Sequence, residues 1–590
     1  MPRKSVFNVT YAGVLALGLT VGLAPLAHAY QGSCSQPKSS GAAPVATDCL
    51  FILRAAVGSA TCDKPCICQP KGTGPTKASD ALLCLFTSVG QPVATDCPCG
   101  LPDLEASDYA FDPAADIADP NLRSRFVRTN FLGAFSQDQD PSVGDWTQGW
   151  TVMLHGNNTV WHPASSGTLN GATPNADGVC PAGTTDIGNT NLPSPFVGTM
   201  DICQMADRYA TQNATLTLTN DNVYRLADVG TGGTLIGDGD AAGKTPATAS
   251  NQKLVIEPGT MILGDVQEAL IVTRGAQVFV NGTKADPVEM NSITTWNDWV
   301  AGGTGLGARR QWGGFVVTGF ANVNFCNAPV TCDATVEGVN AVVRYGGTDN
   351  AWNAGSIQYV VIRNSGFDLG GGNDLNGLTL YALGYPTVVS YVNVDNAGDD
   401  AIEFFGGSIV LDHAVTKGAL DDNIDSDVGF TGGAQFVVVI QDADDGDKAI
   451  EADNGPGTSA FTTLFPRSLP NYINFTLINS TTASSSTPVG IGMRTFTGFN
   501  MWNSIQTSAE RAGIRSENAT VTNTGVGIGG SENTSAFHNL VLWNPTATKG
   551  NFEGSTNADT ANVSTLFNSD PNNQSFDPML GSYGYPNQVP

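Results

Sequence analysis

From Leu254 onward the chain is built of short apolar runs, each closed by glycine, asparagine or proline. Leu254-Val255-Ile256 meets the turn Pro258-Gly259 and resumes at Met261-Ile262. Ala269-Leu270-Ile271-Val272 meets Arg274-Gly275, continues through Val278-Phe279-Val280 and turns again at Asn281-Gly282. Trp312-Gly313-Gly314-Phe315-Val316-Val317 repeats the scheme. The runs are rich in β-branched residues, and no stretch between them has the 3.6-residue spacing of an amphipathic helix, so the pattern predicts an all-β solenoid. A longer period then appears. Apolar runs beginning at Ile357, Val388, Ile409 and Phe436 are each followed by a turn and an acidic position: Asp374, Asp399-Asp400, Asp421-Asp422 and Asp444-Asp445. The steps from 374 to 399, 421 and 444 are 25, 22 and 23 residues. Three short strands and three turns consume about that many residues, so each step is one coil of a three-sided β-helix.

The region before residue 254 reads differently. Arg3 and Lys4, an apolar run from about Tyr11 to Leu26 and Ala27-His28-Ala29 form the tripartite pattern of an export signal over residues 1–29. Residues 30–100 are a small Cys-rich helical module with an internal repeat: Thr47-Asp48-Cys49-Leu50 is echoed by Ser79-Asp80-Ala81-Leu82, and Val57-Gly58 by Val89-Gly90. Each copy has a polar start, an apolar body and a closing glycine, the marks of a short helix. Residues 101–224, rich in Pro, Gly, Asn and Asp, are expected to lead into and cap the solenoid with Trp146, Trp150 and Trp161; the solenoid itself is expected over 225–580, with a tail at 581–590. The fold class is thus all-β, a right-handed parallel β-helix preceded by a Cys-rich helical module.

Twelve cysteines in an exported chain predict disulfides, with Cys180–Cys203 and Cys326–Cys332 paired by proximity. Zinc at Cys66-x-Cys68 and Cys97-x-Cys99 is the alternative, against the usual two-residue spacer. Lys plus Arg number 27 against 54 Asp plus Glu, a formal charge of −27. That charge repels nucleic acid and anionic lipid and suits divalent cations. After the signal, no apolar stretch is long enough to span a bilayer. The expected location is therefore secreted or cell-surface.

Ile256-Glu257-Pro258-Gly259-Thr260, Arg274-Gly275-Ala276, Trp312-Gly313-Gly314, Arg344-Tyr345-Gly346-Gly347 and the stretch from Gly398-Asp399-Asp400 to Phe405-Gly406-Gly407 resemble secreted bacterial β-helix proteins of the pectin lyase-like superfamily. The resemblance implies the β-helix fold and leaves the activity open, since the superfamily holds lyases, hydrolases and adhesins. The 30–100 module resembles a degenerate dockerin-like repeat pair, with Asp48 and Asp80 at the position of the last calcium-loop ligand; this implies a protein partner for the module.

Stacked coils bring equivalent carboxylates about 4.8 Å apart, where they repel unless a cation, a proton or solvent relieves them. Calcium, which takes several hard oxygen ligands, is the expected cofactor, at Asp399, Asp400, Asp421, Asp422, Asp425, Asp427, Asp444 and Asp445, with Asp442, Asp447, Glu451 and Asp453 nearby. The alternative reading is that these residues serve turns and side-chain ladders. The leading functional expectation is a non-catalytic, calcium-stabilised protein that binds a polysaccharide or another surface component. The second is a polysaccharide lyase or hydrolase. Asp374, Asp399 and Asp400 are similar in arrangement to the acids of polygalacturonase-type hydrolases, but the Gly-His-Gly and Arg-x-Lys that should follow are missing and His413 falls in a strand. The third is a structural stalk.

Overall fold

The computed structural model describes residues 44–62, 76–89, 109–136, 145–152, 176–227, 232–325, 333–339, 342–367, 374–442, 446–455, 464–480, 488–517 and 535–578, with a few single positions besides. The expected signal, Asp444, Asp445, Trp161, Cys97, Cys99 and the Cys326–Cys332 pair lie outside the described residues. The chain forms two compact units, Met1–Leu104 and Glu105–Pro590. Among the described residues no helix is long and apolar enough to cross a membrane.

In the first unit, helices α1 (Ala46–Ala56) and α2 (Ala78–Ser88) are the two copies of the repeat, joined by a Cys49–Cys84 disulfide. Cys62–Cys68 is a second disulfide, so Cys68 is not a zinc ligand. Asp48 and Asp80 sit in the first turns and act as caps. Asp48 accepts the backbone N–H of Lys38 and Val45, and Asp80 that of Lys77. Free N–H groups at a helix start need such acceptors, which explains the repeated aspartate.

The second unit is a parallel β-helix. One sheet carries the long strands Gly355–Arg363, Val388–Asp395, Val410–Lys417, Gly433–Ile440, Asn471–Ile478, Asn500–Thr507 and Ala536–Trp543, in that spatial order. An 11-stranded sheet of shorter strands, including Leu378–Leu383, Ile402–Gly407, Ile424–Asp427 and Lys448–Ala452, forms a further side. The parallel ladder starts before residue 225, because Thr199–Gln204 already pairs with Asn222–Arg225. The expected Cys180–Cys203 disulfide lies at this end. At the other end, helix α3 (Asn557–Asn568) packs on the last strands and buries Val563, Leu566 and Phe567.

Two sheets yield three sides because every long strand bends once. Tyr359, Tyr391, His413, Phe436, Asn474, Asn503 and Asn539 all have positive φ, between 48° and 62°. One left-handed residue breaks strict alternation, so Ile357 and Val360 both face the core, as do Val389 and Val392. Nearer the start the bend is an interruption: Gln277–Asn281 pairs with one half of Gly355–Arg363 and Val288–Ser292 with the other. Bulky residues resist this conformation, at a cost on the order of 1–3 kcal/mol each. Stacking offsets it. Tyr359 and Tyr391 lie 4.2 Å apart at 3°, Tyr391 and His413 are 4.6 Å apart, and His413 and Phe436 are 4.7 Å apart. Trp150 meets Tyr359 and Tyr391 edge-on, and Trp146 meets His413. These tryptophans therefore cover the flank of the coils along the bend, not the end expected from the sequence.

Candidate metal centre

In the shorter strands alternation turns Leu378, Leu380, Ile402, Phe404 and Ile424 into the core. The intervening positions face outward and stack in register: Thr379 on Glu403 on Asp425, and Tyr381 on Phe405 on Asp427. The acidic pairs precede these strands. Their second members form a ladder of side chain to backbone bonds. Asn376 Oδ1 accepts the Asp400 N–H at 3.2 Å, Asp400 Oδ1 that of Asp422 at 2.8 Å, and Asp422 Oδ1 that of Lys448 at 2.6 Å. The turn-ladder reading thus holds for one oxygen each of Asp400 and Asp422. Their other oxygens and the neighbouring carboxylates form the column.

Outward-facing side chains of these strands are covered here by residues 333–339 and 342–347. Of these, Val336, Val343 and Tyr345 pack against Tyr381, Phe405 and Val428. Buried Arg274 pairs with Asp333 and anchors one end. The Glu337 carboxyl reaches the Glu403 carboxyl, and Asn376 Nδ2 also donates to Glu403.

Four groups of three carboxylates offer oxygens within 4.8 Å of one another: Asp399, Asp400 and Asp421; Asp400, Glu403 and Asp425; Asp421, Asp422 and Asp447; and Asp422, Asp425 and Glu451. Positive charge enters at one end of this column. Lys448 Nζ lies 2.8 Å from Glu451 Oε1 and 3.7 Å from Asp422 Oδ2, and touches Asp447. Arg494 pairs with Glu451 at 2.6 Å and with Asp453 at 3.9 Å. Among the described residues, Asp400, Glu403 and Asp425 form no ion pair with lysine or arginine.

The electrostatics follow this division. Burial and then the neighbouring acids push Asp400, Glu403, Asp425 and Asp427 well above the carboxylate range. Burial also raises Asp422, although Lys448 opposes it. Asp399, nearer the surface, is raised to about 8 by burial and by Asp421, Asp374 and Glu337, with Arg310 opposing. Glu337 rises to about 7 and Asp421 to about 6, both chiefly through burial. Glu451 is buried too, but Lys448 and Arg494 outweigh the burial and hold it below its ordinary value. Burial alone would lower the Lys448 ammonium; Asp422, Glu451 and Asp447 overcome it and hold that group above its ordinary value.

Of the residues singled out from sequence, Asp399, Asp400, Asp421, Asp422 and Asp425 come together in one column. Asp427 is the next outward-facing residue along the same strand as Asp425, where its charge acts on both Asp425 and Tyr345. Asp374 acts on Asp399 and Glu337 from the preceding coil. Asp447, Glu451 and Asp453 are nearby, as expected. Asp442 is not: it pairs with Arg309 and Lys417 at the end of a long strand. Glu403, Glu337 and Lys448 were not anticipated. The alternation of Glu403 with Ile402 and Phe404 was a usable signal, whereas Glu337 comes from an inserted segment with no coil period.

The donor set is all oxygen and mostly carboxylate, which fits a hard divalent cation of calcium type and does not fit a thiolate-preferring metal. As a hydrolase triad, Asp374, Asp399 and Asp400 fit less well, because Asp400 is buried and spends one oxygen on the Asp422 N–H. His413 is held in the stacked bend between Tyr391 and Phe436.

A family model described as "pectate-lyase like beta helix domain" matches residues 241–575, more than half of the 590-residue chain. No curated protein and no solved structure matches it. The match spans the coils that carry the acidic column and the stacked bend, and the chain belongs to the pectate-lyase-like β-helix family.

Proposed function

We propose that this protein is an exported β-helix that holds calcium in its acidic column and binds a polysaccharide or other surface component, without catalysis. The observation that carries the cation reading is the Asp400, Glu403 and Asp425 group: three buried carboxyls, oxygens within 4.8 Å, and no ion pair among the described residues. Burying such charges unpaired costs several kcal/mol per ion, on the order of a whole domain's stability. A proton or a cation must relieve them, and an all-oxygen set on adjacent coils suits calcium. Asp399, Asp400, Glu403, Asp421 and Asp425 would be its ligands. The disulfides and the family fit an exported location, and the family supports a polysaccharide partner. The test is retention of the mature protein on a panel of acidic and neutral polysaccharides, with calcium and with chelator. Calcium-dependent retention without release of reducing ends supports the proposal; release of reducing or unsaturated ends contradicts it.

One observation favours the hydrolase or lyase reading as the second. Asp399 at about 8 and Asp421 at about 6 are neighbouring carboxyls whose proton affinities are split, the pattern of an acid and a base at neutral pH. Product release that survives chelation and fails in Asp399→Asn would establish it.

A further inference from the structure

We propose that Lys448 is a tethered counter-ion that reserves the Asp422 level of the column, so that an external divalent cation is taken one coil earlier, among Asp399, Asp400, Glu403, Asp421 and Asp425. This rests on the cation reading above and assigns its place.

The argument compares two levels of one ladder. Asn376, Asp400, Asp422 and Lys448 occupy successive rungs, each backbone N–H bonding to the side chain of the rung before. Where the rung is Lys448, its ammonium enters the column and is held by Asp422, Asp447 and Glu451. The Lys448 ammonium is a buried positive charge seated among the carboxylates of this level. Both three-carboxylate groups at that level contain residues that hold the ammonium. One coil earlier the corresponding rung is Asp422, which supplies no positive charge. The groups there, Asp399 with Asp400 and Asp421 and Asp400 with Glu403 and Asp425, repeat the arrangement without a lysine. An ammonium is a point charge with three donors and occupies the volume that a calcium ion would need, so the two exclude each other at one level.

The test is the number of calcium ions bound by the mature wild type, Lys448→Met and Lys448→Arg, from titration calorimetry and native mass spectrometry with calcium chloride as the only probe. Lys448→Met is expected to bind one more ion than the wild type, and Lys448→Arg the same number. An unchanged or smaller number in Lys448→Met overturns the assignment. Should Lys448→Met fold only with calcium present, that too supports it. Should it fold under neither condition, the surface variants decide. Asp399→Asn is expected to weaken calcium binding about tenfold or more, and Asp447→Asn to change it less than about twofold. Equal losses, or the reverse order, overturn the assignment. A wild type that binds no calcium overturns the cation reading itself, and this assignment with it.

Discussion

Asp422 holds Lys448 twice: its Oδ1 accepts the Lys448 backbone N–H at 2.6 Å, and its Oδ2 lies 3.7 Å from the Lys448 ammonium. The first contact fastens one coil to the next. The second pairs a buried anion with a buried cation. Structure and electrostatics thus meet in one side chain, and the consequences can be measured separately.

Asp422→Asn keeps an oxygen for the Lys448 N–H and removes the charge, whereas Asp422→Ala removes both. Breaking one side of a buried ion pair costs about 3–5 kcal/mol, and a lost buried hydrogen bond adds about 1–3 kcal/mol. Urea unfolding in chelator should place Asp422→Ala below Asp422→Asn by the latter amount. Equal stability of the two would mean that the backbone bond contributes nothing.

Carboxyls with raised folded-state affinity for protons make the cation-free protein less stable as pH rises. The unfolded chain gives up these protons near pH 4, while folded Asp399 keeps its proton to about 8 and Asp421 to about 6. Between those limits the folded state binds more protons, so stability is greatest at the acid end and falls through that window. Each tenfold difference in proton affinity corresponds to about 1.4 kcal/mol. In chelator, the melting temperature should therefore fall steadily from pH 5 to pH 8. Saturating calcium should flatten the fall, because the ion favours the ionised form. A melting temperature that rises with pH in chelator would contradict the burial of these acids.

The bend offers a test independent of the column. Asn503 has φ of 50°, donates to the Tyr109 carbonyl at 2.7 Å and accepts from Asn539 at 2.8 Å. Asn503→Ala loses both bonds and places a β-carbon in a left-handed conformation without the local bonding that suits asparagine to it, for a loss of about 2–4 kcal/mol. Asn503→Gly loses the same bonds without the backbone strain and should be the milder change. Chemical denaturation of the pair checks the order.

Gly355 opens the first fully formed long strand at φ of 109°, and a β-carbon there would lie 2.0 Å from the Val278 carbonyl oxygen. The β-carbon is fixed to its own backbone and the carbonyl belongs to the neighbouring paired strand, so neither can step aside. Gly355→Ala is expected to prevent soluble expression or to lower the melting temperature by about 10 °C or more, a shift in keeping with a loss of several kcal/mol. A near-wild-type melting curve would show that the coils are spaced differently here.

The coil period was legible because the acidic pairs recur at nearly constant spacing and strand alternation fixes which side they face. That is why the spacing alone puts Asp399, Asp400, Asp421, Asp422 and Asp425 on neighbouring coils, where the structure has their oxygens close together. The bend was not legible. Tyr359, Tyr391, His413 and Phe436 stand inside runs that read as unbroken strands, and left-handed backbone is ordinarily signalled by glycine or asparagine, which appear in this column only at Asn474, Asn503 and Asn539. The covering segment was hidden for another reason. Glu337 and Tyr345 belong to an insertion between coils, so no periodicity ties them to Glu403 or Tyr381. Glu337 of that insertion reaches Glu403, and Val336, Val343 and Tyr345 cover the neighbouring aromatic row. Asp442 failed in the opposite way: it is close in sequence to the acidic run, but its strand ends carry it to Arg309 and Lys417.

The most direct test of the central claim is thermal unfolding of the mature protein at pH 7.5 in calcium and in chelator, repeated for the combined Asp399→Asn and Asp421→Asn variant. A ligand that binds only the folded state raises its stability with concentration. The account predicts that the melting temperature of the wild type rises with calcium, and that the variant, whose two amides have no proton to give up, starts higher in chelator and gains little. An identical melting temperature with and without calcium in the wild type would contradict it.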